Sequence, residues 1–212
     1  MNEFAKILCD IGAVKIQMND PYTFTSGWKS PIYIDCRMII SFPEQRERVI
    51  QAMCDQVEQF AQAGKIDFIA GGETAGIPYA AFIADRLGLP MIYVRKKPKE
   101  FGTKSSIEGR INPGWDGVLV EDLMTDGRSK EMFAQSISSA GGSVKRIIVV
   151  ARYDLFPTVI IEQEVRSLVT TREIINHLIG DRVVDNNTSH VLELFRDDPV
   201  LWSSKMGGRA EL

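Results

Sequence analysis

Two adjacent carboxylates, Glu121 and Asp122, follow the apolar run Val118-Leu119-Val120 and precede the polar turn Thr125-Asp126-Gly127-Arg128-Ser129. The run, bounded by Gly117, is short enough for a buried strand of a parallel sheet. The spacing therefore predicts that the two acids emerge at its carboxyl end, where ligands of open α/β sheets bind. Gly127 tolerates positive φ, and the helix predicted to follow would present unpaired N–H groups, so the turn can wrap amides and hydroxyls around an anion such as phosphate. Carboxylates cannot hold phosphate directly. Their chemistry is to accept hydrogen bonds from vicinal ribose hydroxyls or to help position a magnesium complex. The layout is that of a phosphorylated-sugar site.

A second cluster is cationic. Between residues 95 and 104 stand Arg95, Lys96, Lys97, Lys99 and Lys104 against one acid, Glu100, with Gly102 supplying mobility. Such a run can be a solvated face. A loop of this length between sheet elements is also a candidate lid, and cations closing over pyrophosphate would stabilise the charge that develops as it leaves. Other patterns carry less chemistry. His177 and His190 fall in predicted helices away from any nucleophile and read as structural. The stretch Gly71 to Gly76 is neither a dinucleotide fingerprint nor a Walker loop, because Glu73 breaks the first and Ile77 stands where the second needs lysine. Trp28, Trp115 and Trp202 are too scattered for a base-stacking platform.

The elements that must position these groups alternate. Phe4, Ile7, Leu8 and Ile11 are spaced as on a helix over residues 3–13. Residues 22–40, aromatic and β-branched with breaks at Gly27 and Pro31, read as short strands and turns. A helix over 43–63, a strand at 68–70, a helix over 80–87 and a strand at 91–94 follow. After the loop to about Pro113 come the acid-bearing strand, its helix to about Ala140 and a strand at 146–150. From about Ser167 the tail adds a strand and two helical patterns. This βαβ alternation predicts the α/β class, with a mostly parallel central sheet flanked by helices.

Composition frames the reading. The 212 residues suit a single domain with a sizeable core, and 44% hydrophobic content is ordinary for a soluble globule. A net charge of −3 argues against a general nucleic-acid binder. Cys9, Cys36 and Cys54 lack metal-ligand spacing and read as structural thiols of a reducing compartment. No apolar run approaches a membrane span, and Asn2, Glu3 and Lys6 interrupt any signal-peptide core, so a cytoplasmic location with no membrane partner is expected. The glycosylation-like triplets at Asn186 and Asn187 read as a polar turn.

The stretch VLVEDLMTDGRS resembles the phosphoribosyl pyrophosphate (PRPP) motif of type I phosphoribosyltransferases. Three further stretches narrow the resemblance to the orotate phosphoribosyltransferase family. RKKPKEFGTKSSIEG resembles its catalytic loop, FTSGWKSPIYIDCR its amino-terminal hood, and GGETAGIPYAAFIADRLGLPMIYVRK its pyrophosphate loop with the helix and strand after it. Together they cover most of residues 20–155. The resemblance implies a type I phosphoribosyltransferase fold over residues 1–212, with a small hood from about 1–40 and part of the C-terminal tail. It further implies magnesium-dependent transfer of the 5-phosphoribosyl group from PRPP to orotate, giving orotidine 5-phosphate and pyrophosphate in pyrimidine biosynthesis.

Carried over residue by residue, Arg95, Lys96 and Lys99 would bind pyrophosphate, Lys99 being the lid residue. Glu73, Thr74, Ala75 and Gly76 would offer it backbone donors. Glu121 and Asp122 would face the ribose, completing with Lys99 the catalytic set. Leu123, Met124, Thr125, Asp126, Gly127, Arg128 and Ser129 would form the PRPP loop. Orotate would meet Thr125, Arg152, Tyr33 and Lys29, near Ser26 and Gly27, with the Arg152 guanidinium suited to its carboxylate. Magnesium would be held mainly by PRPP and water rather than by protein ligands, and a homodimer would share loop lysines between subunits. Four features depart from the family pattern. Phe101 stands where many members have histidine, and Thr25 and Ala75 where some have lysine. Asp126 lies in the phosphate loop, where a carboxylate about 6 Å from phosphate would cost roughly 3 kcal/mol per charge, so its side chain is expected to turn outward. Arg128 replaces a small residue. Two other readings share the motif: a transferase for another base, and a non-catalytic PRPP-sensing regulator that binds nucleic acid.

Overall fold

The computed structural model describes residues 2–97 and 106–211. In chain order the elements are α1 (Glu3–Asp10), β1 (Val14–Ile16), β2 (Tyr22–Thr23), β3 (Lys29–Ser30), β4 (Ile32–Ile34), a 3-10 turn (Cys36–Ser41), α2 (Pro43–Ala63), β5 (Phe68–Gly72), α3 (Gly76–Leu87), β6 (Met91–Val94), β7 (Ile107–Glu108), β8 (Asp116–Met124), α4 (Arg128–Ser139), β9 (Ser143–Arg152), β10 (Glu164–Thr170), α5 (Thr171–Gly180), α6 (Asn186–Asp197) and α7 (Pro199–Lys205).

Six strands form the central sheet in the order β10-β9-β8-β5-β6-β7, all parallel except the short edge strand β7. The chain runs outward from β5 to β6, then returns to the other side of β5 to place β8. The order therefore reverses between β5 and β8, and a crevice opens beyond their carboxyl ends. Helices cover both faces. Val118 and Val120 of β8 pack with α2 and α3 residues such as Ile50 and Tyr79, whereas Leu119 packs with Phe133 and Ile137 of α4. This is the period of two expected of a strand buried on both sides. Gly117 is required at the start of β8, where a Cβ would fall 2.4 Å from the Phe68 ring.

The hood is built from two small antiparallel pairs, β1 with β4 and β2 with β3. Two buried phenols fasten it: Tyr153, just past β9, donates to the Ile32 carbonyl (2.9 Å), and Tyr79 of α3 donates to the Cys36 carbonyl (2.7 Å). The tail closes over its outer side. Trp28 stacks on Phe156 at 4.9 Å, and Phe195 bridges Phe156 to Trp202. The Lys29 N–H donates to Ser203 Oγ, whose hydroxyl donates to the Arg209 carbonyl, and the Arg209 N–H returns to the Gly27 carbonyl.

Several elements differ from the sequence expectation. β8 continues four residues past Val120, because its ladder to β9 runs on to the pair Met124–Arg152 whatever the polarity of the side chains. α3 starts at Gly76 rather than near Ala80. The tail strand begins at Glu164, and three helices follow it rather than two. β1, three residues long, carries too little pattern to be read alone.

Candidate active site

The crevice at the β5–β8 reversal is a cleft of about 790 Å³. Two helix N-termini open onto it. α3 follows the turn Glu73-Thr74-Ala75 at the end of β5, and α4 follows the turn after β8. Of the residues predicted for the site, Thr74, Ala75, Lys96, Glu121, Asp122, Leu123, Thr125, Ser129 and Tyr33 line this one cleft. Hence residues nearly a hundred positions apart meet where the topology requires a ligand site.

The turn before α3 contains a cis peptide between Glu73 and Thr74. The Glu73 N–H donates to the Val94 carbonyl, and its carboxylate accepts from the Lys96 N–H at 2.7 Å. Glu73 is therefore not a ligand donor, as the sequence suggested, but the brace between this turn and the start of the cationic loop. Thr74, Ala75 and Gly76 are left to present N–H groups at the positive end of α3.

At the other helix, Gly127 has the predicted positive φ, 86°. A Cβ there would lie 2.6 Å from Ile161, so the turn is held from behind by the segment after β9. Asp126 is half-buried and is not among the residues that line the cleft. Its Oδ1 accepts from the Arg128 N–H at 3.2 Å, and its Oδ2 lies 3.4 Å from Arg128 Nε. The carboxylate thus accepts from the first N–H of α4 and pairs with Arg128, which offsets its charge.

The adjacent acids Glu121 and Asp122 of β8 do not act as a pair, because successive strand residues face opposite sides. Asp122 faces the hood, where burial pushes the Cys36 thiol and the Tyr79 phenol up and the Asp122 charge adds to the rise. Burial pushes its own carboxyl above the ordinary range, with Lys130 opposing. Glu121 faces α4 and is only 6% exposed. Its Oε2 accepts from Lys130 Nζ at 2.7 Å, while Oε1 has no partner among the described residues. Burial raises the Glu121 carboxyl to about 7; Lys130 and Lys96 lower it and Asp122 raises it. A Cβ on Gly72 or Gly76 would come within 2.4 Å of Glu121 Oε1, so both glycines make room for this carboxylate. Asp122, less buried than Glu121, is therefore the more accessible of the two acids on the cleft wall.

Other expected residues lie around the cleft rather than on its wall. Arg152 ends β9 opposite Met124, and its Nε is buried without a partner among the described residues. Met124 itself is buried. Arg95 is 3.7 Å from Glu108. The stem of Lys29 packs along Gly208, and the Ser26 hydroxyl is buried without a partner among the described residues. Lys99 and Phe101 lie outside the described residues. Two charged cleft residues were not foreseen. Arg37 reaches the cleft held by Asp35 (2.6 Å) and the Tyr33 hydroxyl (3.2 Å), and Lys130 sits beneath the acids. His177 pairs with Asp181 one helical turn on, which accounts for it structurally.

No protein-family profile matches the chain. Similarity to individual proteins is extensive. The orotate phosphoribosyltransferase of Agrobacterium fabrum is 43% identical over 217 residues, covering 98% of this chain and 92% of that protein. That of Sinorhizobium medicae is 40% identical over 96% of this chain and 90% of its own length. Among solved structures, the orotate phosphoribosyltransferase from Aeropyrum pernix superposes with a TM-score of 0.72 at 26% identity, covering 82% of this chain and 97% of that one.

Proposed function

Since the chain belongs to the orotate phosphoribosyltransferase family, we propose that it transfers the 5-phosphoribosyl group of PRPP to a ring nitrogen of orotate, releasing orotidine 5-phosphate and pyrophosphate. The observation that carries this reading is the pair of helix N-termini, α3 and α4, opening onto one cleft with Asp122 between them. PRPP carries a phosphate at one end of a ribose and pyrophosphate at the other. Two anion sites flanking a hydroxyl acceptor match that order.

The turn from Thr125 to Ser129 takes the 5-phosphate, and the Thr74–Gly76 amides with Lys96 take the pyrophosphate. Asp122 orients the ribose hydroxyls. Arg152, with its unpartnered Nε, takes the orotate carboxylate above β9. The orotate ring nitrogen forms its bond to the anomeric carbon as the bond to pyrophosphate breaks, and its proton passes to the departing pyrophosphate or to water. Positive charge builds on the sugar and negative charge on the leaving group. No covalent enzyme intermediate is needed. The chain's tasks are alignment, charge neutralisation and exclusion of water. Magnesium would neutralise pyrophosphate charge. Glu121 is already engaged by Lys130, so Asp122 is the one β8 carboxylate free to meet the ion or its waters, which fits an ion held mainly by PRPP oxygens. By the resemblance, Lys99, which lies outside the described residues, would serve the pyrophosphate, and a homodimer would let loop lysines serve the neighbouring site.

The test supplies PRPP and magnesium with orotate, uracil, adenine or hypoxanthine in turn and follows loss of each base. Orotate alone should be consumed. Turnover of a purine without orotate would overturn the proposal.

A further inference from the structure

We infer that Arg37, presented to the cleft by Asp35 and Tyr33, is a further substrate contact and takes an oxygen of the pyrophosphate group. This inference rests on the proposed transferase reading and adds a hood residue to its machinery. Arg37 lies in the 3-10 turn after β4 and lines the cleft, yet its side chain is 57% exposed. Its Nε donates to Asp35 Oδ1 at 2.6 Å and its Nη2 to the Tyr33 hydroxyl at 3.2 Å. An ion pair this open contributes little to folding, so the fold does not account for it. What the two contacts do is fix the direction of a long side chain before any ligand arrives, which lowers the entropy lost on binding. A guanidinium carries five donors, and the two bonds to Asp35 and Tyr33 are the ones it makes among the described residues. The remaining donors form part of the wall of an anion site.

Charge balance shows why the cleft needs this cation. Among the described residues Arg37, Lys96 and Lys130 line it against Glu73, Glu121 and Asp122. Lys130 is engaged by Glu121. Arg37 and Lys96 are left to meet a ligand as anionic as pyrophosphate. Position selects that end of PRPP over orotate. Tyr79 of α3 donates to the carbonyl of Cys36, the residue before Arg37, which fastens the hood turn to the helix whose N-terminus takes the pyrophosphate. Pro78 and Tyr79 of α3 and Ile40 of the same hood turn line the cleft with it. The arginine assigned to the orotate carboxylate, Arg152, ends β9, and β8 lies between β9 and the β5 strand that leads into α3. A planar fork with free N–H groups suits two oxygens of one phosphate.

The experiment titrates pyrophosphate with magnesium into the wild-type chain, Arg37→Gln and Arg37→Lys by calorimetry, and measures KM for PRPP and for orotate in each. Arg37→Gln should weaken pyrophosphate binding about tenfold or more and raise KM for PRPP by a similar factor, leaving KM for orotate within about twofold. Arg37→Lys keeps the charge without the fork and should fall between the two. A merely structural arginine would affect both substrates alike. Equal pyrophosphate affinity in the wild type and Arg37→Gln, or an equal loss toward orotate, therefore overturns the inference. If Arg37→Gln does not fold, Arg37→Lys carries the test: weaker pyrophosphate binding supports the contact, and unchanged binding overturns it. A wild-type chain that binds pyrophosphate but is inert toward orotate overturns the transferase reading instead, and the calorimetric comparison still decides the role of Arg37.

Discussion

At the scale of single residues, Arg152 and Glu121 show how position decides role. Arg152 closes β9 beside Met124 with a buried Nε that finds no partner among the described residues, a costly arrangement unless a ligand supplies an acceptor. Truncation by Arg152→Ala should lower kcat/KM for orotate about 100-fold, near 3 kcal/mol of lost charge-assisted bonding, while leaving KM for PRPP within a few-fold. Steady-state kinetics with each substrate varied will check this, and a loss confined to PRPP would assign the arginine elsewhere. The identity of this residue was legible in the sequence through the resemblance of its neighbourhood. The partnership of Lys130 with Glu121 was not, because it joins residues nine apart across a strand and a helix, a spacing with no local period. Asp126 posed a related problem: an acid in this turn needs its charge offset, and the Arg128 amide and guanidinium supply the partners.

Among the elements, apolar runs foretold β5, β6 and the first half of β8, since strands buried on both faces must be continuously apolar. Their polar extensions could not be foretold. Residues Glu121 to Met124 remain in a strand because β9 supplies ladder partners there, and that information resides in the neighbouring strand. The tail was opaque for the same reason. Its helices were visible, but not that Ser203 would accept from the Lys29 N–H and donate to the Arg209 carbonyl, stitching the end of the chain to the hood. Ser203 is fully buried, so Ser203→Ala strands one donor and one acceptor and should cost about 1–3 kcal/mol. Chemical denaturation will measure this. An unchanged midpoint would mean that the Trp28–Phe156–Phe195–Trp202 stack holds the tail without the hydroxyl.

For the whole molecule, the sheet order gathers the two helix-opening turns at the carboxyl ends of the central strands β5 and β8, and burial there makes stability depend on pH. Folding raises the Glu121 pKa from 4.5 to about 7. The folded state therefore holds this proton more tightly than the unfolded chain, and the associated stability is fully present below pH 4.5 and lost as pH rises through 7. Glu47, Asp67, Glu164 and Asp185 have the opposite sign: ion pairs and backbone hydrogen bonds hold their carboxyls below the ordinary range, so their help fades on acidification. Comparison with Glu121→Gln isolates the first effect. Between pH 5 and pH 8 the wild-type Tm should fall relative to that of the variant by several degrees. A constant difference would mean that Glu121 is ionised throughout. Among the described residues no helix is long and apolar enough to cross a membrane.

The central claim is that the cleft at the β5–β8 reversal joins a phosphoribosyl group to orotate. Its most direct test is a stoichiometric assay with purified chain, PRPP, magnesium and orotate, in which orotidine 5-phosphate and pyrophosphate are both quantified. Equal amounts of the two products, each matching the orotate lost, are predicted. Pyrophosphate released without orotidine 5-phosphate, or no orotate consumed by a folded chain that binds PRPP, would contradict it.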